Sequence, residues 1–263
     1  MKLQVQMFTT AAIALFGLTS CFQVKSNIVL KKDGSGTITE EMILGDQMKM
    51  MLEMASAQGG KEGGKNPMAQ MLDKAKAEAR AKKMGEGVEL VSVKKINANG
   101  KLGIKTTFKF ADINKLNYSI NSAMDTGDMA GGAAKKIEKA DASGPKFKFT
   151  DGKLTIIQKS TEGGEEPEAT EMDPQFMAMM QGMMKDMRIT SKITIQSGIA
   201  KTNATHVEGK VITLSDIQMG KIIGDPEKLK ALQSGNIDKA KDALKGIDGI
   251  KFEDKEQVTV EMK

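Results

Sequence analysis

The chain has 263 residues, a formal net charge of +5, one cysteine, one histidine, one tyrosine, no tryptophan and 21 methionines. Its 39 basic and 34 acidic side chains are interleaved, the pattern of a solvated surface rather than a nucleic-acid groove, and aromatics at 4% leave few rings for base stacking. A single cysteine excludes an intramolecular disulfide, and one histidine with no further thiol excludes the usual zinc sites.

The first element is a leader. Lys2 supplies positive charge, Met7 to Leu18 (MFTTAAIALFGL) is apolar or small, and small residues lead to Cys21. The run is shorter than the ~20 residues needed to cross a bilayer, so it reads as a cleaved signal peptide over residues 1–20. Leu18-Thr19-Ser20-Cys21 resembles the lipobox of bacterial lipoproteins. That resemblance implies a diacylglycerol on the Cys21 sulfur, cleavage before Cys21, and an acyl chain on the new amino terminus in many members. Phe22 stands where an Asp would direct retention at the inner membrane, so the expectation is the periplasmic face of an outer membrane.

Residues 21–263 are expected to form one extracytoplasmic domain, with linkers near 56–66, 121–145 and 161–172. Val24, Ile28 and Leu30 alternate, Asp33-Gly34-Ser35-Gly36 turns the chain, and Ile38, Met42 and Leu44 continue, which is a β-hairpin. Asp46 opens a helix with Met48, Met51, Leu52 and Ala55 on one side. Asn66-Pro67 starts a second, with Met68, Met71, Leu72 and Ala75 as its stripe and Gly85 as its stop.

A second hairpin turns at Asn99-Gly100, with Ile104, Thr106, Phe108 and Phe110 on one face, and a third turns at Asp151-Gly152. Asp173-Pro174 begins a Met-rich helix to about Met187. A strand pair follows over 188–198 and 203–214, then short helices including one from Asp225-Pro226, then a closing strand bearing Val258, Val260 and Met262. Several hairpins interrupted by helices predict an α+β fold, an antiparallel sheet packed by Met-rich amphipathic helices.

Catalytic signals are sparse. His206 lies in the polar run NATHVEG, Ser35 and Ser197 sit in Gly-flanked turns outside any G-x-S-x-G elbow, and phosphate-loop and dinucleotide fingerprints are absent. The boldest stretch is MDPQFMAMMQGMMKDM, residues 172–187, with seven methionines. Phe176, Met180, Met183, Met184 and Met187 form one helical stripe. Such a stripe serves as a packing face, as a groove for acyl chains or a partner, or as a soft site for Cu(I).

Three segments, VLKKDGSGTITEEMIL, GEGVELVSVKKINANGKLGIKTTFKFADINKL and ITIQSGIAKTNATHVEGKVITL, together with the lipobox, resemble LppM-like bacterial lipoproteins. The resemblance implies a β-rich α+β domain associated with lipid or glycolipid binding. The expected function is therefore a non-catalytic, lipid-anchored envelope protein that binds a lipid or a protein partner and no nucleic acid. It has no cofactor besides the acyl groups on Cys21, and the alternatives are copper handling or envelope hydrolysis.

Overall fold

A computed structural model of the chain describes residues 22–46, 49–50, 53–54, 67–98, 101–120, 144–158, 182, 184–225, 227–228, 231 and 237–263. The expected linkers 56–66 and 161–172, and all of the expected linker 121–145 except its last two residues, lie outside the described residues, as do Met48, Met51, Leu52 and Ala55.

The described residues form two β-sheets rather than one sheet covered by helices. The larger contains β1 (Gln23–Leu30), β2 (Gly36–Leu44), β3 (Val88–Ala98), β4 (Lys101–Phe110), β7 (Arg188–Ile195), β9 (Val207–Glu208), β10 (Val211–Gln218) and β11 (Lys251–Phe252), in the order β11-β10-β7-β1-β2-β4-β3 with β9 beside β10. The smaller runs β5-β6-β12-β8, from β5 (Lys146–Thr150), β6 (Lys153–Ile157), β12 (Gln257–Met262) and β8 (Ile199–Thr202). Helices whose bounds fall among the described residues are α1 (Pro67–Met71), α2 (Lys74–Lys83) and α3 (Ile237–Leu244), and residues 46, 49–50 and 53–54 are also helical.

The three expected hairpins are present as β1–β2, β3–β4 and β5–β6. Local chemistry explains them. Asp33 accepts from the Ser35 amide at 3.0 Å and its hydroxyl at 2.7 Å, closing the first turn. Asp151 (φ 50°) and Gly152 (φ 74°) adopt the left-handed conformation that a two-residue hairpin turn requires.

The α+β expectation needs correction. The fold is mainly β, and the large sheet is mixed, because β1 pairs in parallel with β7 from Gln23↔Arg188 to Leu30↔Ile195. The covering layer assigned to Met-rich helices is largely the second sheet. Ile28, Ile38, Phe108, Ile193 and Ile212 of the large sheet share one core with Leu154, Ile156, Val258 and Val260 of the small one. β7 turns through Gly198 into β8, and the chain from β11 to β12 likewise passes from one sheet to the other. β10 runs to Gln218, so a strand occupies residues that read as the start of a helical tail.

The expected helix over 67–84 is broken in two. Asp73, in an extended conformation, caps α2 by accepting from the Ala75 amide at 2.8 Å. The break rotates the buried face: α2 buries Ala77 and Ala81, Ala75 is exposed, and Met71 packs separately against Met42 and Leu44. Gly85 ends this segment as expected. Its φ is +132°, and a Cβ there would stand 2.1 Å from the Lys115 carbonyl oxygen.

Candidate functional site

The molecule has two distinct ends, set by strand direction. β1 enters at Gln23, which lies opposite Ile43 at the close of β2, while Leu44 lies opposite Leu102 at the start of β4. Phe22 packs here with Met71 and Leu102 against Met42 and Leu44. Its carbonyl accepts from the Arg188 amide at 2.9 Å, bringing the start of β7 to the same end. Beside it, Ile217, Met219, Ile222 and Leu244 form a satellite core. Met50 and Met54, just beyond β2, are 63% and 58% exposed.

Among the expected site residues, Leu18, Thr19, Ser20, Cys21, Phe176, Met180 and Met183 lie outside the described residues. Phe22, the residue that follows Cys21 in sequence, lies at this end of the large sheet. Met184 and Met187 pack, partly buried, against the satellite core, so these two members of the methionine stripe contribute to packing.

The opposite end gathers turns. Lys31, Lys32, Asp33, Gln196 and Ser197 line a shallow depression of about 380 Å³. The Ser197 hydroxyl is buried and makes no hydrogen bond, so the lysines that share its depression do not engage it. The Asp33 carboxyl is held below the usual range by the Ser35 hydroxyl and amide.

Between the ends lies a buried polar group that sequence reading missed. Ser26 and Glu40 face each other across β1 and β2, and Thr106 of β4 continues the row. Glu40 is 5% exposed and accepts from Arg80 Nη2 at 2.9 and 2.7 Å. Tyr118 donates to Ser26 Oγ at 2.7 Å. Burial, then the neighbouring Glu40 charge, pushes the Tyr118 phenol well above its ordinary range, against the opposing Ser26 bond and Arg80 charge. The Arg80 guanidinium also stands 5.6 Å from the centre of the Phe108 ring. A buried carboxylate left without its cation costs about 3–5 kcal/mol, so this bridge fixes α2 on the sheet. The arrangement is a buried charge pair, in which Arg80 binds through Nη2 and its enclosed Nε makes no hydrogen bond, beside a phenol held in its neutral form. It offers no activated nucleophile.

A second buried carboxylate, Glu253, is fully enclosed. It accepts from the Thr205 amide at 2.7 Å and hydroxyl at 2.9 Å, pinning the NATHVEG loop. His206 belongs to that loop, with Nε2 3.2 Å from the Phe252 carbonyl oxygen, which is a structural contact. On the outer face, Arg188 binds Asp216 through Nε at 2.6 Å and Nη2 at 2.7 Å, and Thr190 adds a bond at 3.3 Å. Burial raises the Asp216 pKa, but these bonds and the Arg188 charge outweigh it and hold the carboxyl below its ordinary value. Among the described residues, no three His, Cys, Asp or Glu side chains converge as a metal site, and no helix is long and apolar enough to cross a membrane.

No protein-family model matches the chain, and a search of curated proteins returns no match. Among solved structures, the NMR structure of the folded domain of LppM from Mycobacterium tuberculosis is weakly similar. The match has 10% identity and a TM-score of 0.33, and it covers 79% of this chain and 88% of that one.

Proposed function

We propose that the chain is an envelope lipoprotein, anchored through acyl chains on Cys21, whose β body binds a lipid or a protein partner and performs no catalysis. The carrying observation is the junction between motif and fold. Leu18-Thr19-Ser20-Cys21 has the order of a lipobox, and β1 begins at Gln23, two residues later. Two or three acyl chains, at about 0.8 kcal/mol per buried methylene, hold such a body on a bilayer, whereas a single chain holds it marginally. The non-catalytic part of the reading draws on the buried Arg80–Glu40 pair, the neutral Tyr118 phenol and a Ser197 hydroxyl without a basic partner. The outer membrane is the favoured location, on the ground of Phe22 after the cysteine.

The test is expression of the full chain and its Cys21→Ser variant in a double-membraned bacterium, with mass spectrometry of the N-terminal peptide and flotation of membranes. The expected result is a mature chain beginning at acylated Cys21 that floats with the outer membrane, and a variant that is neither acylated nor membrane-bound. An unmodified Cys21 in the mature wild-type chain overturns the proposal.

A further inference from the structure

We infer that the end of the large sheet where β1 begins is a bilayer-contacting surface, with Met50 and Met54 seated at the lipid headgroup boundary. The inference rests on anchoring at Cys21 and adds an orientation that anchoring alone does not impose. A lipoprotein body on a long tether tumbles freely. Here Phe22 is already packed into the fold, and successive Cα atoms are about 3.8 Å apart, so an anchor on Cys21 lies directly against this end. β1, rising about 3.3 Å per residue, carries the chain roughly 25 Å away to the polar Lys31–Ser35 turn.

The exposed apolar side chains supply an independent observation. The large hydrophobics with high exposure among the described residues are Met50, Met54, Val91, Val207 and Ile157. The last three are single β-branched residues on separate strands: Val91 at the β3 bulge, Val207 on the two-residue β9, and Ile157 at the end of β6. Scattered residues of this kind are ordinary surface. Met50 and Met54 are different. They are four apart in a helical stretch, on one face, and they lie six and ten residues after Leu44, whose neighbours include Phe22. At about 1.5 Å per helical residue, both stay close to the anchored end.

Thioether side chains are flexible and adapt to a disordered apolar medium. Glu53, exposed between them in sequence, and the Asp46–Lys49 ion pair keep the stretch at headgroup depth, since neither enters hydrocarbon without cost. The occupant that fits is therefore a lipid surface already brought into contact by the anchor.

The chain has no tryptophan, so one introduced indole reports a single position. The acylated full chain carrying Met50→Trp, Met54→Trp or Lys32→Trp is reconstituted into phosphatidylethanolamine–phosphatidylglycerol vesicles, with and without bromine on the acyl chains. Expected are a blue shift and quenching by brominated lipid for Met50→Trp and Met54→Trp, and neither for Lys32→Trp. An acylated, vesicle-bound chain whose indoles at both positions escape brominated lipid overturns the inference and leaves the anchoring intact. The same escape combined with shielding from aqueous iodide assigns the patch to a second copy or another protein, and it also overturns the inference. A chain without lipid on Cys21 overturns both readings.

Discussion

Tyr118 is the chain's single tyrosine, and its surroundings make a clean reporter. The phenol is buried beside Glu40, and both burial and that negative charge disfavour the phenolate, so its pKa in the folded chain exceeds the ordinary value near 10. The sign of the linkage follows: the neutral phenol's stabilising contribution is complete below about pH 10 and fades as pH rises toward the folded-state pKa. In an alkaline titration followed by phenolate absorbance, the native chain is expected to show no rise near pH 10. The signal should appear only at higher pH, together with loss of the folded circular dichroism. A smooth transition centred near pH 10 in folded protein would contradict the enclosed placement. None of this was legible beforehand, because Ser26, Glu40, Arg80 and Tyr118 are far apart in the chain and meet only when α2 lies on the sheet. Cys21 stood out because its signal is local: a thiol after small residues and an apolar run.

At the scale of elements, α2 illustrates how one cap positions a distant charge. Asp73 starts the helix, and two turns later Arg80 reaches Glu40. Asp73→Ala removes the acceptor for the Ala75 amide and is expected to cost roughly 0.5–2 kcal/mol, read as a lower denaturant midpoint with an unchanged slope. The same substitution at Asp112 tests a 3₁₀ turn over Ile113–Lys115 rather than this helix, so it serves as a control. Hairpins were legible for the reason that caps are: Asp33 with Ser35, and Asp151 with Gly152, settle their turns within four residues. The parallel pairing of β1 with β7 was not. Residues such as Ile28 and Ile193 carry no local mark of their partnership, and alternation reads alike for either strand direction. Methionine-rich runs misled for a related reason. Helical spacing shows which side chains share a face but not what covers the sheet, and here Leu154, Ile156, Val258 and Val260 do much of that covering.

For the whole molecule, β12 is the strand that joins the two layers' stability. It lies between β6 and β8, and both Val258 and Val260 are fully buried in the shared core. A chain ending at Glu256 would leave β8 unpaired and expose Ile193, Ile212 and Leu154 to water. Each fully buried aliphatic side chain contributes about 1.5–3 kcal/mol, and a domain's net stability is only about 5–15 kcal/mol. The shortened chain is therefore expected to show no cooperative thermal transition and to bind a hydrophobic dye strongly, whereas the full chain melts in one step.

The position of β1 between β2 and β7 has a mechanical consequence. If the chain is held through Cys21 as proposed, a tug on that tether runs along the axis of a strand bonded on both flanks over its whole length. Such a load meets the two hydrogen-bond ladders in shear, where all rungs resist at once, instead of unzipping them one after another from an edge. A body moored in this way would pass tension from its foothold directly into the middle of the large sheet.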